Sequence, residues 1–282
     1  MNLKNLSFSI ITLLLLISSV NAQNVNIGEA LGDESEFYAS TKQVNQFLRR
    51  FNAEENIEGE KLYDKDRDFR SLNLRLKYLP MLFDARNQNL SASLKEEFIS
   101  AVTKGNSPQF LEFHGGNWFA EVLTSFMYKG KEMDLTLFMK LEEEKLGTKW
   151  VISNMYFEPF YEIFYDVDTT AEGIKFLHPL SHELDFMNLV KVFRNKDNVS
   201  LFTEKGYRPD FLTLFLYEVK KSNLKFESVK EVKFHFFQID DWYFELSEFN
   251  RPGYNTGWLI SNLMKAPEAQ KEILQRYIYR EE

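Results

Sequence analysis

His178 and His182 stand four residues apart, a spacing that puts two imidazoles on one helix face and suits a zinc pair. Pro179 and an N-cap at Ser181 place His178 ahead of the helix instead, so both are read as loop and cap residues and no metal site is assigned. His114 precedes Gly115-Gly116, where backbone can approach a ligand closely, and Trp118 and Glu121 follow on the next segment. Such a stretch forms the mouth of a pocket or, more commonly, a hinge between helix and strand. Asn154 and Asn262 occupy equivalent places in a repeated strand, where an amide either orients a ligand or satisfies backbone groups at the strand end; the structural role is expected. Tyr128, Asp134, His235 and Tyr243 carry the groups of acid–base chemistry. Strand parity sets Asp134 and His235 opposite the apolar positions, towards solvent.

Other signatures fail on inspection. Glu142-Glu143-Glu144 reads as a solvated turn and residues 63–70 as a charged loop, where Lys65 and Arg67 interrupt the acids and the glycine of a calcium loop is missing. Phosphate loops, serine-nucleophile elbows and HExxH helices are absent from the sequence, and with no cysteine there is no thiol chemistry. No catalytic residue is assigned and no cofactor is implied. The candidate ligand-binding residues are His114, Trp118, Tyr128, Asn154, Tyr243 and Asn262.

The elements that must position these residues follow from an internal repeat. Lys149-Trp150-Val151-Ile152-Ser153-Asn154-Met155 returns as Gly257-Trp258-Leu259-Ile260-Ser261-Asn262-Leu263. Each copy ends a run of three predicted antiparallel strands. The first run has strands over 118–128 and 133–141 around a turn at Gly130; the second has 231–239 and 242–249, with turns at Asp240-Asp241 and Pro252-Gly253. Helices are predicted over 41–51 and 183–193, with Ser40 and Ser181 as N-caps, and further ones over 69–83, 94–103, 209–221 and 267–280. Residues 98–113 resemble 215–229, which carries the repeat across the helix-to-strand joint. The fold class is therefore α+β, helices packed on a strongly curved antiparallel sheet in each half.

A helical segment followed by a bent meander that ends in KWVISNM or GWLISNL resembles the NTF2-like, or cystatin-like cone, superfamily. The resemblance implies two cones in tandem, similar to uncharacterised exported bacterial proteins. It divides the chain into a first repeat over 23–160, a linker over 161–178 and a second repeat over 179–282 with a C-terminal helix. It also implies a concave sheet with a pocket, used by some members for catalysis and by others for binding or dimerisation. No catalytic set of those enzymes matches position by position.

Residues 1–22 read as a signal peptide: Lys4, an apolar stretch over 8–17, and Val20 and Ala22 before the cut. That apolar stretch is half the roughly 20 residues a spanning helix needs, and without a cysteine no lipoprotein anchor forms. The expected product is soluble, periplasmic or extracellular, with no membrane span after cleavage. An exported chain without cysteine must be held by its hydrophobic core, and 27 phenylalanines among 282 residues supply one. The formal charge of −8 excludes long-range attraction to nucleic acid. The expected function is a non-catalytic binding or structural module for a small apolar molecule or an envelope protein. The alternative is a small-molecule isomerase, dehydratase or hydrolase using a cone pocket.

Overall fold

The computed structural model describes residues 43–145, 147–165, 189–194, 196–204 and 206–281. The predicted leader, both predicted N-caps at Ser40 and Ser181 and the His178/His182 pair lie outside the described residues, as do 166–178 of the predicted linker. Residues 161–165 of that linker close a helix.

Helix α1 covers residues 43–52, and its apolar stripe of Val44, Phe47, Leu48 and Phe51 is buried as the spacing predicts. The helix predicted over 69–83 is shorter. Ser71 accepts a hydrogen bond from the Leu74 amide and starts α2 at Leu72–Tyr78, after which Pro80 turns the chain into a 3-10 helix, Leu79–Leu82. α3 is Ala92–Val102, capped by Ser91. Three strands follow, β1 Trp118–Tyr128, β2 Lys131–Glu144 and β3 Gly147–Tyr156, then α4 Glu158–Tyr165 and α5 Leu189–Phe193. After a 3-10 helix at Lys196–Phe202 comes α6, Phe211–Lys220, capped by Asp210. β4 Leu224–Phe236, β5 Trp242–Phe249, β6 Gly257–Lys265 and α7 Glu268–Ile278 complete the described chain. None of the described helices is long and apolar enough to cross a membrane.

Both predicted meanders are present, and they merge. β1 pairs antiparallel with β4, giving one six-stranded sheet in the order β3-β2-β1-β4-β5-β6. The described residues accordingly fall within one compact unit. β4 begins seven residues earlier than the alternation suggests. It runs beside the whole of β1, and two irregularities in the register bend it and break its period of two.

The repeated motif is a bulge. Met139 faces Ile152 and Phe138 faces Asn154, which leaves Ser153 as the extra residue; Leu246 faces Ile260 and Glu245 faces Asn262, which leaves Ser261. In each copy the serine hydroxyl donates to the carbonyl of the residue facing the asparagine, Phe138 at 3.1 Å and Glu245 at 3.2 Å. A bulge shifts parity by one, so each asparagine lies on the face opposite the isoleucine two residues before it, where simple alternation would have put them together.

One sheet face carries an aromatic ladder: Trp118 opposes Phe236 and Phe236 opposes Phe244, with rings stacked at 5.0 and 4.9 Å. Phe51 of α1 stacks on Phe244 at 6.2 Å, and Phe98 of α3 meets Trp242 edge-on at 5.3 Å. The other face holds Phe119, Phe138, Phe237 and Tyr243 under Tyr279, next to the end of α7. The loop after α2 covers the β6 edge, where the Asp84 amide donates to Ile260 O at 3.0 Å and Asn87 Nδ2 to Ser261 O at 2.7 Å.

Arg75 fastens the helical layer. Buried to 1% exposure, it donates Nε to Phe51 O (3.2 Å), one terminal nitrogen to Val102 O (2.9 Å) and the other to Gln109 O (2.7 Å). Burial, with the nearby Arg70 charge, lowers its pKa to about 10, so it remains a cation at neutral pH. Its fork spans three carbonyls that an ammonium could not reach together. Arg75→Ala is expected to cost about 3 kcal/mol or more in urea unfolding, and Arg75→Lys to restore less than half of that.

Candidate functional site

Glu121 on β1, His235 on β4 and Tyr243 on β5 come together on the sheet face beneath α7. Phe119 faces His235 and His235 faces Glu245, which makes Glu121 and Tyr243 the diagonal neighbours of the imidazole on either side. His235 Nε2 lies 2.9 Å from Glu121 Oε2, and Nδ1 lies 2.7 Å from the Tyr243 hydroxyl. Phe119 stacks on the imidazole at 4.9 Å.

The environment fixes how protons are shared along this chain. Burial pushes the Glu121 carboxyl up, but the His235 hydrogen bond and charge, with Lys233 and Arg280, more than reverse that and hold it below the ordinary glutamate range. Glu121 is therefore a carboxylate that accepts the Nε2 proton. Burial first, and then the charges of Glu245 and Glu121, push the Tyr243 phenol far up, so it stays protonated. The Glu121 carboxylate and the Tyr243 phenol thus hold the imidazole from both sides, so both of its nitrogens are engaged.

These residues form the floor of an open cleft of about 760 Å³, walled by Leu274, Tyr277 and Ile278 of α7 and rimmed by Glu245, Asn262, Arg280 and Glu281. The volume is that of a site for a small molecule. Glu245 accepts the Ser261 hydroxyl at 3.0 Å, which ties the bulge to the cleft. Tyr277 is 79% exposed and offers a free ring face.

His235 corrects the sequence expectation most sharply: it is 2% exposed, because the C-terminal segment covers a face expected to meet solvent. Phe119 and Tyr243 share its parity, and the apolar stripe of 267–280 needs a surface to cover; together these were the available signal. Asp134 does lie at the surface, where Lys230 Nζ contacts it at 2.5 Å. Tyr243 and Asn262 line the cleft. Asn154 stands at its border and donates to Glu281 Oε1 at 2.5 Å, latching the C-terminal segment to β3.

The remaining candidates sit elsewhere. Trp118 belongs to the aromatic ladder, donating its indole N–H to Phe113 O at 2.9 Å. Tyr128 is core, edge-on to Phe157 at 5.2 Å. His114 lines a smaller cavity of about 230 Å³ with Gly116 and Trp118, and its Nδ1 lies 3.2 Å from Thr148 Oγ1. The glycine joint beside it is pinned: a Cβ on Gly115 would come within 2.6 Å of Glu112 Cβ, and Gln238 Nε2 donates to both Glu112 O and Gly116 O at 2.7 Å.

No family model, curated protein or solved structure matches this chain.

A carboxyl held low in the folded state adds stability at neutral pH that disappears as pH falls through its folded value. Glu121→Gln is expected to lose about 1 kcal/mol at pH 7. Urea titrations should show that gap closing as pH drops below about 4.5, the ordinary glutamate value. A gap that did not change with pH anywhere across the carboxylate range would contradict an ionised Glu121.

Proposed function

We propose that this chain is an exported, non-catalytic binding module of two NTF2-like cones in tandem, whose meanders share one sheet and whose first helices pack on the strands of the second meander. Its ligand is a small molecule that presents hydrogen-bond donors on one edge and an apolar face on the other. The observation that carries this reading is the Glu121–His235–Tyr243 chain on the floor of the cleft under α7, a chain already closed on itself. An isomerase, dehydratase or hydrolase needs a proton acceptor or a nucleophile turned to its substrate. Here the imidazole is engaged at both nitrogens and the phenol is kept protonated, which supports recognition over proton transfer.

The ligand chemistry follows from what the cleft presents. Glu245 and Glu281 offer acceptors, Asn262 an amide, and Tyr277, Met264 and Leu274 an apolar wall. Hydroxyl or amine groups meet the acceptors while a ring or alkyl face lies on Tyr277.

The test is a thermal-shift and calorimetric series with neutral sugars, amino alcohols and their donor-free analogues. A donor-bearing compound that binds at 100 times its Kd should stabilise the chain by about 2.7 kcal/mol. Glu245→Gln and Tyr277→Ala should each weaken it about tenfold. Turnover of any ligand, or binding indifferent to both variants, would overturn the reading.

A further inference from the structure

The charges around the cleft under α7 do not balance. Among the described residues, Glu121, Glu245 and Glu281 line it against one arginine, Arg280, in a chain of formal charge −8. Glu121 is answered on the floor by His235 at 2.9 Å. Arg280 turns its guanidinium over the Tyr156 ring of β3, 4.2 Å from the centroid. Glu245 and Glu281 have no ion-pair partner among the described residues; the carboxylate of Glu281 takes the Asn154 amide, which is neutral.

Glu245 is the carboxylate built to meet a ligand. It is half-buried on β5, and the two hydroxyls beside it crowd one oxygen: Ser261 Oγ lies 3.0 Å and Ser247 Oγ 3.4 Å from Oε1. The other oxygen, Oε2, takes no hydrogen bond from the described residues, and it is not a buried atom. Its charge reaches the floor, where after burial it does most to push the Tyr243 phenol up. A carboxylate fixed at one oxygen, open at the other and without a countercharge is best met by a donor that is itself cationic. Beside it the exposed ring of Tyr277 adds a face that attracts cations as well as apolar groups.

We infer that the ligand of this cleft is an organic cation, an ammonium group on an apolar body. The ammonium donates to Glu245 Oε2 in the field of Glu281, and the apolar body lies along Tyr277, Met264 and Leu274. This rests on the reading of the cleft as a binding site and narrows its ligand from any hydrogen-bond donor to a charged one, since a neutral hydroxyl would leave both carboxylates without a countercharge.

Calorimetric titration of the full chain with 2-phenylethylamine, protonated at neutral pH, beside its uncharged counterpart 2-phenylethanol tests the assignment. The amine should bind at least about tenfold more tightly than the alcohol, by a margin that narrows as salt rises. Glu245→Gln keeps an oxygen for the serine hydroxyls and removes only the charge, so it should bring the amine down to the affinity of the alcohol. Arg280→Gln, which removes the cation at the rim, should tighten the amine about two- to fivefold and leave the alcohol unchanged. An amine that binds no more tightly than the alcohol, or a margin that survives Glu245→Gln, would overturn the inference, while any neutral donor that binds keeps the reading of the cleft. Failure of every donor to bind, charged or neutral, would overturn both.

Discussion

The pairing of β1 with β4 organises the molecule, because without it each meander is a three-stranded ribbon with one long edge left unsatisfied. Their union joins two edges at once and aligns Trp118, Phe236 and Phe244 into a ladder that gives α1 and α3 a surface to pack on. It also puts Glu121 and His235 on adjacent strands, so the hydrogen-bond chain under α7 exists only because the repeats share a sheet. Backbone pairing, core and candidate site depend on the same ladder.

The duplication has been kept where it solves a backbone problem and lost around the cleft under α7. Ser153 and Ser261 perform the same task, each satisfying a carbonyl beside an extra residue in an edge strand. Their asparagines have diverged: Asn154 holds the C-terminal segment and Asn262 faces the cleft. The tryptophans diverge too. Trp150 packs edge-on to Trp118 at 5.5 Å, whereas Trp258 packs edge-on to Phe234 at 4.8 Å.

Much of this was legible from residues alone. The limits of β1 and β5, the turn at Gly130, the helices just before each run and the one after the second follow from periodicity and turn chemistry, which are local, whereas the helix after β3 was read as linker. The merger of the meanders was not legible, since pairing partners are separated by many residues and alternation says nothing of which strand lies alongside. The early start of β4 was hidden because residues 225–228 face solvent and the register slips twice. The site was half legible. Tyr243 and Asn262 were candidates on type and position, but His235 was assigned to solvent on the premise that a sheet has one wet face. The bulge at Ser261 altered the parity on which the asparagine argument rested.

The central ladder also sets how the chain reaches its native state. Each meander closes over turns of a few residues, whereas residues 157–223 separate the end of β3 from the start of β4. Loop-closure entropy must be met before the β1–β4 contacts repay it, so the two ribbons form early and their docking is the slow event. Until then β1 and β4 present bare, aromatic-rich edges to every other copy of the chain, and the step that builds the cleft under α7 is also the one most exposed to misassembly.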